Sequence, residues 1–98
     1  MVIGLTTADI FIPSVNWTYA FSNRRPPRLA VVSPARMDRG CMGIGRASAD
    51  RQMARLRKMV GKNIGALVYG LPLSGHPRSM MYAWVGGPQE LDMMTEDF

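Results

Sequence analysis

At 98 residues the chain has room for one domain. Its 47% apolar and 19% charged residues are ordinary for a globular protein, and no apolar run approaches the roughly 20 residues needed to span a bilayer. The net charge of +5 favours acidic partners without specifying a fold, and a single cysteine, Cys41, excludes an internal disulfide.

Nine methionines are unusual in so short a chain and point to a pliable core or an adaptable contact surface. The opening "MVIGLTTADIFIP" lacks the basic start and apolar run of a signal peptide. With the lone cysteine, this gives the expectation of a soluble, cytoplasmic protein without a membrane partner. There the "NWT" at Asn16 would not be a glycosylation site.

"VIGL" reads as a short apolar strand, and "TTAD" turns after it. "IFIP" is a second extended piece stopped by Pro13, which cannot donate to a sheet ladder. "VNWTYAF" is rich in aromatic and β-branched residues and reads as a strand. "SNRRPPR" is polar and broken by prolines, so a hairpin loop or connection is expected there. "LAVVS" is the best strand candidate, short, apolar and bounded by Arg28 and Pro34. "PARMDRGCMGIGRA" reads as an irregular loop.

A long helix follows, with Ser48 as N-cap and Asp50 in its first turn, where a negative charge suits the helix dipole. Met53, Leu56, Met59, Val60, Ile64, Leu67 and Val68 keep helical spacing and form one apolar stripe. This register predicts Leu67 and Val68 buried against "LAVVS". The basic residues Arg51, Arg55, Lys58 and Lys62 fall on another face. Gly70 and Pro72 end the helix. "LSGHPRS" is a loop, "MMYAWV" a short apolar run, and Pro88 opens a short terminal helix. The order of elements predicts an α+β fold (α/β sandwich-like), a small twisted sheet packed on one long helix, in a single domain spanning 1–98.

Candidate sites are few. One histidine, His76, and Cys41 lie far apart in sequence and do not make a metal site. His76 reads as an ordinary loop histidine, and no basic partner can be assigned to activate Cys41. "GCMGIGRAS" puts Gly43 and Gly45 before a helix, but the third glycine of a dinucleotide fingerprint is replaced by Ser48. The basic stripe, with Arg24, Arg25 and Arg28, could meet phosphates, yet no aromatic residues are interleaved with it. The plainer reading is a solvated helix face.

Several segments together resemble the archaemetzincin family of zinc metallopeptidases. "VIGLTTADIFIPSVNWTYAFS" is similar to its strand–turn–strand with a Thr-x-x-Asp element, and "LAVVSPARM" to its Ala-Val-Val-Ser strand and following arginine. "RLRKMVGKNIG" resembles the approach to the active helix, "PRSMMY" the Pro-Arg-Cys-Val-Met turn, and "LDMMTEDF" the acidic-Phe ending. The resemblance covers almost the whole chain and implies a metzincin N-terminal half-domain that lacks the family's first strand and helix.

The family's H-E-x-x-H-x-x-G-x-x-H pattern supplies three zinc-binding histidines and a water-activating glutamate. In this alignment the first histidine falls on Lys62, the glutamate on Asn63, the second histidine on Ala66 and the third on Pro72. Tyr69 stands at the motif glycine, one place before Gly70. Gly65 is kept, and Ile64 replaces leucine. The methionine of the turn survives as Met81, and Ser79 stands where the family has cysteine. The resemblance therefore implies a degenerate site with no metal or other cofactor. Gly65 would be an inherited packing glycine, and the cleft would be refilled by Leu67, Val68, Tyr69 and Leu71.

The expected function is non-catalytic, a metallopeptidase-like domain that binds a protein partner or a second copy of itself. The partner-binding candidates are Trp17, Tyr19 and Phe21 on the strand nearest the substrate edge, with Arg51, Arg55, Lys58 and Lys62 on the basic face. The alternatives are a module binding nucleic acid or another acidic partner, and an enzyme of unrelated chemistry using Cys41 or His76.

Overall fold

The computed structural model describes residues 2–10, 20–25, 29–38, 45–83 and 85–96. Expectations for Trp17, Tyr19, Cys41, Gly43 and most of "IFIP" and "VNWTYAF" lie outside the described residues.

Three strands form one mixed sheet: β1 (Val2–Leu5), β2 (Ser22–Arg25) and β3 (Leu29–Val32), in the order β1-β3-β2. β3 is the apolar "LAVV" and takes the centre. Its Ala30 and Val32 are fully buried, as suits a strand paired on both sides. β1 runs parallel to β3 with Val2 opposite Leu29, and β2 runs antiparallel with Ser22 opposite Val32. Thr6 N–H adds a bond to the Val32 carbonyl, and Ser33 N–H one to the Phe21 carbonyl.

β2 corrects the expectation for "SNRRPPR". Its first four residues are a strand, and the expectation for residues 26–28 lies outside the described residues. Asn and Arg have little strand preference of their own; ladder bonds to the strongly formed β3 hold them extended.

The long helix α1 spans Ala49–Leu67, with the Ser48 side chain accepting from Arg51 N–H as its N-cap. It stops at Val68, and Gly70 then takes a φ of +64°, a left-handed conformation common after helix ends. The short helix α2 spans Pro88–Met93 with Pro88 in its first turn. α1 packs against both β3 and α2, giving an α+β fold.

The helix register differs from the one the apolar pattern suggests. Val68 is 54% exposed, Tyr69 65% and Met53 51%, while Leu67 and Leu71 are only half-buried. These residues do not fill an interior cleft. The buried positions of α1 are Arg55, Lys58, Met59, Lys62, Asn63 and Gly65. The stripe taken for a solvated basic face is therefore largely turned inward; of its four residues only Arg51 is exposed.

The core around this face comprises Phe21, Val32, Met37, Met59, Met80, Leu91 and Met94. Four of these seven are methionines, which explains much of the excess. Thioether chains can fill the irregular gaps beside long, buried cationic side chains.

Glycine inside α1 also finds a reason, at Gly61. A Cβ added there would lie 2.7 Å from Met80 Sδ. Met80 is held close by the turn around it, in which Ser74 N–H donates to the Met81 carbonyl and Tyr82 N–H to the Ser79 carbonyl. Gly65 is buried as well, and its carbonyl accepts from Leu71 N–H at 3.0 Å.

Candidate functional site

The inward polar residues of α1 fall into two groups. Near the N-terminal end, Arg55 forms a fork with Asp92 of α2: Nε to Oδ1 and Nη2 to Oδ2, both at 2.8 Å. Its Nη1 donates to the Met37 carbonyl at 2.7 Å. The guanidinium is fully buried and is satisfied on three sides. The hydrogen bond from Arg55 holds the Asp92 carboxyl below its usual range. Arg51 approaches the same carboxylate at 3.6 Å. Lys58 donates its Nζ to the Leu91 carbonyl at 2.9 Å.

Two turns further on, the second group has no such carboxylate among the described residues. Lys62, 6% exposed, donates Nζ to the Tyr82 carbonyl on the loop after Met81. Asn63, fully buried, donates Nδ2 to the Met59 carbonyl at 2.8 Å. The Asn63 Oδ1 accepts from Arg24 Nη1 of β2 at 3.2 Å. Burial pushes the Lys62 ammonium down to about 8, and the neighbouring Arg24 guanidinium pushes in the same direction. Burial also lowers Arg24. The site is thus a pair of cations between β2 and the methionine-bearing turn.

The remaining candidates are dispersed. Ala66 is half-buried and Pro72 exposed. His76 is exposed, and its Nδ1 accepts from Arg78 N–H in a local turn. Gly45 has a φ of +71° beside the helix start. Phe21 is buried in the core, so the described end of its aromatic segment offers no contact surface.

The positions that the resemblance would assign to zinc fit it poorly. On that alignment an ammonium, a methyl group and a proline ring would stand where the family has three imidazoles, and an amide in place of its general base. None of the three ligand positions offers a lone pair to a metal at neutral pH. Among the described residues, no three His, Cys, Asp or Glu side chains are grouped to hold an ion.

Sequence reasoning picked out Lys62 and Asn63 but missed the Tyr82 carbonyl as the partner of Lys62, Arg24 as that of Asn63 and Asp92 as that of Arg55. The spacing 55, 58, 59, 62, 63 already had the i, i+3, i+4, i+7, i+8 form of a buried helix face.

The chain is similar to two solved structures. The archaemetzincin of Methanopyrus kandleri aligns with a TM-score of 0.76 and 26% identity, over 98% of this chain and 48% of that one. A zinc-dependent peptidase of Methanocorpusculum labreanum aligns with a TM-score of 0.81 and 27% identity, again over 98% and 48%. The chain therefore spans about half the length of the structures it matches. No protein-family model and no curated protein matches it. Two long-range ion pairs join segments on which the resemblance rests: Asp9 with Arg36 at 2.6 Å, and Arg55 with Asp92. Among the described residues, no helix is long and apolar enough to cross a membrane.

Proposed function

We propose that this chain is a metallopeptidase-like domain that holds an extended protein segment without cleaving it. The similarity to a zinc-dependent peptidase supports the peptide-binding half of this reading. The observation that carries the non-catalytic half is the donor set: Lys62, Asn63, Ala66 and Pro72 supply neither a metal cage nor a base. The segment would lie along β2, which has one strand neighbour, β3, among the described residues. A free strand edge offers backbone donors and acceptors for strand addition. A second copy of the chain could use the same edge, giving a homo-oligomer.

The inward basic face gives little support to a nucleic-acid module. Arg55, Lys58 and Lys62 are buried against carbonyls and Asp92, so they do not form a stripe that phosphates could follow.

The test combines zinc equilibrium dialysis, hydrolysis of a fluorogenic peptide library and backbone amide NMR. The reading expects no stoichiometric zinc, no turnover above background, and shifts at Ser22–Arg25 when an extended peptide is added. Chelator-sensitive turnover would overturn it.

A further inference from the structure

Carboxylates and cations are unevenly matched in this molecule. Asp92 takes Arg55 and Arg51, Asp9 takes Arg36, and Glu96 takes Arg57. Arg24 and Lys62 are left with the neutral acceptors Asn63 Oδ1 and the Tyr82 carbonyl. Among the described residues, no carboxylate forms an ion pair with either. A guanidinium carries five N–H donors and an ammonium three, and among the described residues one bond is made from each. Two cations near one another, one of them almost wholly buried, leave a concentration of positive charge and unused donors at the edge of the sheet. Burying cations without counter-charges is costly, and a ligand anion would relieve that cost.

We infer that Arg24 and Lys62 form a recognition site for the carboxylate of an aspartate or glutamate in a peptide added along β2. The inference rests on the reading of β2 as a peptide-binding edge and names the chemistry which that edge selects. Arg24 belongs to β2 itself, so its guanidinium stands beside any strand paired there. It is only half-buried and is the outer donor. Lys62 lies deeper and supplies the second positive charge. A planar carboxylate suits the guanidinium fork, and a strand-like peptide can continue the β2 ladder while delivering it. A nucleic-acid backbone supplies the anion but cannot continue the ladder.

The experiment uses the full 98-residue chain and two capped, otherwise uncharged, β-prone heptapeptides. One has a single central glutamate and the other glutamine at that position. Binding is followed by amide shifts at Ser22–Arg25 and by the Lys62 side-chain resonance. The expected result is tighter binding of the glutamate peptide by about tenfold, the scale of one charged hydrogen bond. That peptide alone should raise the Lys62 pKa. Arg24→Gln and Lys62→Met should each bring the affinity for the glutamate peptide down to that for the glutamine peptide. The Lys62 resonance in the unmutated protein decides the matter if a variant fails to fold. Equal affinities with the same β2 shifts would overturn carboxylate recognition and leave strand addition standing. No β2 shift with either peptide would overturn both. Tighter binding of a short oligothymidylate at Arg24 and Lys62 would show that the pair reads phosphate, and would also overturn the inference.

Discussion

The two ends of α1 bury cationic side chains under opposite conditions. At the Arg55 end, the guanidinium meets Asp92 in a fork and a backbone carbonyl besides. At the Lys62 end, an ammonium and the Arg24 guanidinium share only neutral partners among the described residues. The first arrangement ties α1 to α2 and explains stability. The second has no structural return of that kind, which is why it is the better candidate for a ligand site.

Removing the first cation should have the largest effect. Arg55→Ala leaves Asp92 and the Met37 carbonyl without their partner, and breaking one side of a buried pair costs about 3–5 kcal/mol. Urea unfolding at pH 7 would measure it. A midpoint close to that of the unmutated protein would erase the contrast between the two ends.

Both ends should also gain stability as pH rises, in separate windows. Asp92 is depressed in the folded state, so its contribution is present above the unfolded value near 3.8 and is lost as pH falls further. Lys62 titrates near 8 when folded and at 10.5 when free. Between these values the unfolded chain holds the proton and the folded chain does not, so stability rises with pH across that window. The burial cost is present in full below 8. Lys62→Met should therefore raise stability at pH 7 by up to about 3 kcal/mol and flatten the slope between pH 8 and 10.5. Unfolding curves at several pH values would decide it. A destabilised Lys62→Met with the slope intact would place Lys62 in the same class as Arg55.

Gly61→Ala tests how tightly the methionine turn is held near the second end. The new Cβ meets Met80 Sδ, and Met80 is buried, so the thioether must move within the core. The intrinsic gain of alanine in a helix offsets part of the strain. The expected net loss is about 1 kcal/mol, read from the melting curve. A gain would mean that Met80 swings aside freely.

Val68→Asp should have the smallest effect. Val68 is exposed just past the last helical residue, so the change should stay within about 0.5 kcal/mol. An unfolded variant would restore the helix register suggested by the apolar pattern.

That register shows where sequence reading stopped. The fold class, β1, β3, the Ser48 cap and the Pro88 start were legible because each rests on local chemistry: apolar runs, a side-chain acceptor, a residue without an N–H. The buried face of α1 was not. Hydropathy assigns long cations to water, yet Arg55, Lys58 and Lys62 bury their stems and end on Asp92 and on the carbonyls of Met37, Leu91 and Tyr82. Such partners come from distant parts of the chain and carry no local signal. β2 was missed for a related reason, since only its ladder with β3 makes a strand of "SNRR". The resemblance singled out Lys62 and Asn63 as altered positions, but only the packed structure joins them to Arg24.

Lys62 is a buried cation with no counter-charge paired to it among the described residues. The most direct measurement is an NMR titration of the Lys62 side chain in the unliganded protein. The expected inflection lies near 8 and moves upward when Arg24 is changed to Gln. An inflection at the ordinary value of 10.5, unmoved by Arg24→Gln, would show Lys62 solvated or already paired and would contradict it.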